Sequence, residues 1–427
     1  MDRDRRLAFL ILKDIETGHA WSNLAVKEKL ASQGADRPAF LRELVYGCIR
    51  NQILLDYNVR RFLSRPKLSA AEKVLLRMGF YQLAMMDSVQ DHAAINETVS
   101  LASAFIRGRQ GFINAVLRSF QRDGKRLIYD CLSTRYSCAE WIIKLWEKSY
   151  GKEKTEELLA AGNTPAPFTI RVNTLKTDRS SLSKELKRLG YEVSECSGSA
   201  LCLQIKGSGL LDTELYKEGL FSVQGESSCR AVELLAPAEG EMLLDLCAAP
   251  GGKSCAAAEL MKNRGKIMSF DIYEHRTELI KKEAARLGIG IIDAVSNDSS
   301  VFDPALDNKA DCVIADVPCS GLGTIRRNPE IKITGRSAEE SSRILDELCK
   351  IQYNILVNAL KYVKKGGRVL YSTCTIDPAE NGDLVRKVLS DVGGHYIESE
   401  EQVFIQAGGP DGFYTCIIRR VDDKRRF

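Results

Sequence analysis

The sequence predicts a multidomain chain. An all-α helical domain spans 1–130, linker helices and a small α/β subdomain span 131–235, and a doubly wound α/β domain with a mostly parallel sheet spans 236–427. Three observations carry this. Apolar residues recur at three- and four-residue steps to about residue 128, a stretch whose prolines are Pro38 and Pro66. The run Gly162-Asn163-Thr164-Pro165-Ala166-Pro167 then breaks the helical pattern. From about residue 232, short apolar strands alternate with helical segments, as in a parallel sheet covered on both faces.

In the front domain, Leu41, Leu44, Val45, Cys48 and Ile49 form one helical stripe, and Val74, Leu75, Met78, Tyr81 and Met85 form another. Trp141–Tyr150 and Glu153–Ala161 continue in helical style. Phe168–Asn173 alternates as a strand, Ser180–Leu189 is a helix ended by Gly190, and Tyr191–Val193 and Leu201–Ile205 are strands. Farther on, strands are expected at 242–246, 266–271, 291–295, 312–315 and 368–371. Helices are expected at 254–262, 274–287 and 338–363.

Of the 427 residues, 44% are hydrophobic and 28% charged, a composition that excludes dominant disorder. No apolar run approaches the roughly 20 residues of a membrane span. The mixed-charge start Met1–Arg6 leads into only a short apolar stretch, so no secretory signal and no membrane partner are expected, and the location is cytoplasmic. Thirteen cysteines, an odd number without any CxxC pair, stand beside four histidines (His19, His92, His275, His395). Neither a disulfide framework nor a metal site is expected. The formal charge is +4, but residues 1–130 alone carry 21 Lys/Arg against 14 Asp/Glu, and the remainder is net −3. Arg50, Arg60, Arg61, Arg65, Lys67, Arg107, Arg109, Arg118 and Arg122 punctuate this basic front, which suits a polyanion as readily as it suits a solvated helical surface.

Four motifs carry chemistry. Leu243–Ser254 runs from a strand through Cys247, Ala248, Ala249, Pro250, Gly251 and Gly252 to Lys253 and a helix, with small residues where a cofactor approaches a strand end. It is neither GxGxxG nor a phosphate loop. Asp271 closes the next strand, where a carboxylate takes both ribose hydroxyls, and Asp298 after the third strand can accept an adenine amino group. Such a nucleoside pocket without a phosphate fingerprint favours S-adenosyl-L-methionine over NAD or ATP. Asp311–Gly321 ends an apolar strand in Asp316-Val317-Pro318-Cys319-Ser320-Gly321, and Gly366–Thr375 delivers Cys374 to another strand end, followed by Glu380-Asn381. Two thiols and one carboxylate thus meet one cofactor pocket. A lone cysteine there would be a buried small hydrophobe.

These blocks resemble the signatures of the RNA cytosine-C5 methyltransferases of the Sun family. Arg171-Val172-Asn173-Thr174, Val223–Ser228 and Asp411–Tyr414 resemble its flanking segments. In the front, Glu43–Gly47 and Gly111–Arg118 resemble the RNA-binding fold of the antitermination factor NusB. A NusB-like front on a Rossmann-like methyltransferase domain is the arrangement of the family's bacterial small-subunit rRNA enzymes. Departures are Gly225 where the family commonly has an acidic residue, Val317 for Ala, and Ser254 for Thr.

The resemblance implies an S-adenosylmethionine-dependent enzyme that methylates carbon 5 of a cytosine in 16S rRNA; tRNA or large-subunit rRNA is the alternative substrate. It assigns the nucleophile to Cys374 and product release to Cys319, roles that spacing alone leaves open. Asp316 would hydrogen-bond the cytosine N3/N4 edge near the cofactor; Lys253 would orient Asp316 or a backbone carbonyl and Arg276 would help fix the cofactor, with a packing or surface role the alternative for each of these two. Arg326-Arg327-Asn328-Pro329-Glu330, just past the Cys319 turn, would contact RNA phosphates, with a solvated loop as the alternative. RNA is the expected partner and DNA is not; a monomer is expected. A non-catalytic RNA-binding factor would need neither thiol, and a nucleotide-dependent oxidoreductase would need the phosphate motifs that are missing.

Overall fold

A computed structural model describes residues 1–18, 22–64, 67–334 and 337–422. His19, Arg65 and Pro66 lie outside the described residues. The chain divides into two units, Met1–Asn163 with Ile325–Ser337, and Thr164–Thr324 with Ala338–Phe427.

The first unit is helical: α1 Arg3–Glu16, α2 Ser22–Gln33, α3 Pro38–Arg50, α4 Gln52–Arg60, α5 Ala70–Met85, α6 Asp91–Phe105, α7 Gln110–Arg122, α8 Leu132–Tyr136 and α9 Glu140–Gly162. The two helical stretches expected around residue 150 are one element broken at Gly151, whose φ of 79° a side chain would resist. A capping box of Ser69 and Glu72 starts α5, and the Phe80 and Phe120 rings stack at 3.9 Å in the core. The returning segment Ile325–Ser337 is anchored by Lys332, 1% exposed. Its Nζ donates to the Tyr136 carbonyl (2.9 Å) and to the Asn163 side chain. The Lys332 carbonyl accepts from the Ala139 N–H (2.7 Å). Burial brings the Lys332 amine down to about 7.

The second unit begins with an antiparallel sheet of β1 Phe168–Val172, β2 Glu192–Glu195, β3 Cys202–Lys206 and β4 Phe221–Val223, ordered β2-β3-β1-β4. Helices α10 Arg179–Arg188 and α11 Glu214–Lys217 belong to the same subdomain. Ile170, Val172, Leu182, Leu186, Leu203, Ile205 and Phe221 make its small core.

The main sheet follows: α12 Glu226–Leu235, β5 Met242–Asp245, α13 Gly252–Leu260, β6 Lys266–Asp271, α14 Glu274–Leu287, β7 Ile292–Ser296, β8 Ala310–Asp316, α15 Ala338–Tyr362, β9 Val363–Thr373, α16 Gly382–Val392, β10 His395–Val403 and β11 Phe413–Arg420. Seven strands run in the order β10-β11-β9-β8-β5-β6-β7. β5 through β9 pair parallel, and β10 and β11 join antiparallel. Alternate strand residues face opposite layers. Leu243, Cys312, Ile314, Leu370 and Ile417 pack with α12, α13 and α14. Leu244, Val313, Val369, Tyr371 and Ile418 pack with α15 and α16. The period of two explains why these strands read as continuous apolar runs. Order reverses around β5, so a crevice opens at the carboxyl ends of β5 and β8. Among the described residues, no helix is long and apolar enough to cross a membrane.

Candidate active site

The turn after β5 builds the first wall. Leu246 N–H donates to the Ile314 carbonyl (2.9 Å) and Ala248 N–H to the Phe270 carbonyl (2.7 Å), so the loop stays laced to both neighbouring strands. Gly251 has φ 107°, and a Cβ there would stand 3.2 Å from Ile280 Cα, so the turn needs glycine before α13 can begin. Two cavities flank this turn. One of about 390 Å³ is lined by residues including Cys247, Ala249, Asp271, Arg276, Asp298 and Asp316. The other, about 170 Å³, is lined by residues including Asp245, Ala248, Pro250, Gly252, Lys253 and Asp316.

In the larger cavity, buried Asp271 accepts from the Tyr273 N–H (3.2 Å) and from Arg276, 3.1 Å away, whose other nitrogen donates to the Ala249 carbonyl (3.3 Å). Arg276 therefore braces the wall as well as Asp271. Asp298 is exposed and accepts from the Ser300 N–H and hydroxyl. Ile272 and Tyr273, each more than half exposed, add apolar surface suited to a flat base. Burial, and the nearby carboxylates of Asp245, Asp316 and Asp271, push the Cys247 thiol up, so it lines the pocket as a neutral group.

In the smaller cavity, Lys253 Nζ lies 2.7 Å from Asp316, and the other Asp316 oxygen accepts from the Ser372 hydroxyl (2.7 Å). Asp245 is fully buried. One of its oxygens accepts from Ser254 (2.6 Å) and the other has no hydrogen-bond partner. Burial pushes its carboxyl up to about 7, with the Ser254 hydrogen bond opposing and Asp316 adding to the rise. A buried, half-satisfied carboxylate beside a cavity suits a cationic ligand. S-adenosyl-L-methionine carries an ammonium and a sulfonium, so these residues fit it. Ser254, a departure from the family's usual Thr, keeps the hydroxyl that this contact uses.

The two thiols meet. Cys319 Sγ and Cys374 Sγ are 3.2 Å apart, both half-buried. The Val317 N–H donates to the Ser372 carbonyl (3.1 Å) and the Gly323 N–H to the Cys374 carbonyl (3.0 Å), which draws the Cys319 turn onto the end of β9. A Cβ at Gly323 would sit 2.7 Å from that carbonyl. The Cys319 thiol is raised well above its ordinary range, first by its hydrogen bond to Cys374, then by burial and by the charges of Cys374 and Glu380. Sequence reasoning missed Asp245, Ser372 and the apolar pair Ile272–Tyr273 as site residues. Asp245 was signalled by its place at a strand end. The reading of Arg326 as an RNA contact is corrected: it is 2% exposed, folded into the helical unit, and Arg327 is the exposed member of the pair.

Residues 232–408 match the family model described as 16S rRNA methyltransferase RsmB/F, residues 2–122 the NusB family, and residues 138–209 an RsmF/B-like ferredoxin-like domain. The chain is 35% identical to the probable ribosomal RNA small subunit methyltransferase B of Bacillus subtilis (strain 168), over 97% of this chain and 98% of that protein. It is 31% identical to the ribosomal RNA small subunit methyltransferase B of Citrobacter koseri, over 87% and 86%. Among solved structures, that of PH0851 superposes with TM-score 0.83 at 26% identity, covering 98% of this chain and 99% of that one. NSun6 from Pyrococcus horikoshii with SFG gives TM-score 0.58 at 21% identity, covering 67% and 99%.

Proposed function

The chain belongs to the RsmB/F family of ribosomal RNA methyltransferases, and from that premise we propose that it methylates carbon 5 of one cytosine in 16S rRNA through a transient bond between Cys374 and carbon 6. The cofactor is S-adenosyl-L-methionine, which supplies an electrophilic methyl group when bound. Asp271 and Asp298 would hold its ribose and base, Arg276 and the 247–252 turn would wall it in, and Asp245 would meet its ammonium.

Carbon 5 of cytosine is a weak nucleophile. Addition of the Cys374 thiolate to carbon 6 makes it an enamine carbon able to attack a methyl group. The single observation that carries this reading is the 3.2 Å sulfur–sulfur approach. The Cys319 thiol, raised by its contact with Cys374 and by burial, stays protonated during the attack, which falls to Cys374. Asp316, steadied by Lys253 and Ser372, accepts from the cytosine edge. After methylation Cys374 is bonded to carbon and no longer pairs with the Cys319 thiol, which gives up its proton to water. The Cys319 thiolate takes the proton from carbon 5, the C–H electrons rebuild the 5,6 double bond, and Cys374 leaves as thiolate. The base must leave any stack for this chemistry, and the basic helical front adds salt-dependent affinity for RNA.

The test is trapping. Cys319→Ala is expected to accumulate a covalent protein–RNA adduct on denaturing gels, and Cys374→Ala to lose both adduct and methyl transfer. Turnover persisting in Cys374→Ala would overturn the assignment. Bisulfite sequencing of ribosomal RNA from a deletion strain identifies the cytosine. An intact methylation pattern in 16S rRNA would reject that substrate.

A further inference from the structure

Resting on this covalent reading and deepening it, we propose that Glu380 and Gln352 are positioning residues that clamp the Cys319 turn for the release half of the reaction. Both side chains are fully buried. One Glu380 oxygen accepts from the Ser320 N–H (2.8 Å) and from Gln352 Nε2 (2.9 Å), and the other accepts from the Ser320 hydroxyl. Gln352 also donates to the Pro318 carbonyl (2.9 Å). The residues on either side of Cys319 are therefore gripped by one buried pair.

The grip extends to the other thiol. Ser320 Oγ lies 2.8 Å from Thr375 Oγ1, next to Cys374, and the Tyr371 hydroxyl donates to the Glu380 carbonyl (2.7 Å). These donors to the Glu380 carboxylate are neutral, so no cation among them offsets its burial, an unfavourable arrangement that a plain turn does not need. What it achieves is a fixed place for Cys319 Sγ beside Cys374, reached by side chains contributed from α15 and from the loop after β9. Attack on carbon 6 uses Cys374 and does not need that placement. Release does, because the Cys319 thiolate must reach the carbon 5 proton while the C6–S bond to Cys374 breaks.

Glu380→Gln keeps an oxygen for the Ser320 N–H and Gln352 but replaces a charged acceptor by a neutral amide, whose nitrogen must turn the Ser320 hydroxyl into an acceptor, so the grip on the turn is weakened. Single-turnover reactions of the full chain with S-adenosylmethionine and a 16S rRNA transcript separate the two halves, with adduct formation and decay followed on denaturing gels. Glu380→Gln should form the adduct within about threefold of the wild-type rate and clear it at least about tenfold more slowly, so that adduct accumulates. Ser320→Ala should shift the same ratio in the same direction by less. Equal slowing of both halves, or wild-type clearance, overturns the clamp. If Glu380→Gln does not fold, Ser320→Ala decides by the same criterion. Cys319→Ala distinguishes the failures. A trapped adduct there with normal clearance in Glu380→Gln rejects only the clamp, whereas no adduct there while the wild type methylates rejects the covalent reading and the clamp with it.

Discussion

Asp245 shows what a single buried atom does to the chemistry around it. In the unfolded chain its carboxyl ionises near pH 4, whereas the folded chain holds the proton up to about 7. Between those values the folded state keeps a proton that the unfolded state has released, so stability falls as pH rises through that window. Asp245→Asn should remove this loss. Urea midpoints at about pH 5 and about pH 7.5 should drift less in the variant than in the wild type without cofactor, and equal drift would reject the account. The variant should also bind S-adenosylmethionine more weakly, as read by calorimetry. At this scale the sequence was informative about residue type and less so about contact. The strand-end spacing pointed to Asp271, Asp316, Cys319 and Cys374. An unpartnered oxygen on Asp245, and a carboxylate sixty positions from the serine it holds, are products of three-dimensional packing that no local pattern encodes.

Elements with a strong period were legible: β6 Lys266–Asp271 and α14 Glu274–Leu287 fall at the limits that alternation and three-four spacing predict. The sequence predicts no element over 382–403. β10 pairs on one side only, with β11, and its Glu398-Ser399-Glu400-Glu401-Gln402 run is polar on both faces, as suits a sheet edge, so apolar alternation is weak there. Between elements the decisive contact is Arg171 on β1 with Glu259 on α13, at 2.7 Å and both fully buried. The same guanidinium donates to the Gly252 carbonyl (2.8 Å) and to Gln224, tying the small sheet to the end of the cofactor turn. Arg171→Met leaves Glu259 buried without its partner and should cost about 3–5 kcal/mol in denaturant unfolding. A change below about 1 kcal/mol would mean the pair is dispensable.

At the scale of the molecule, the two units are not consecutive in the chain. Ile325–Ser337 returns to the helical unit from within the catalytic one. In the helical unit, a Cβ on Gly162 would come within 2.6 Å of Ile325, and Lys332 is anchored at Tyr136 and Asn163. A fragment of residues 1–163 should therefore melt at a lower temperature than the same fragment with 325–337 fused through a flexible linker, and identical melting would show that the returning segment is a passenger. The fold class was legible because each unit carries its own period, but the return was not, since thirteen residues with three arginines and a proline look like any surface loop. The return also sets a timetable. A ribosome making this chain has already produced β1 through β8 before it supplies the last piece of the helical front, so the amino-terminal half must wait, incomplete, while most of the later half emerges.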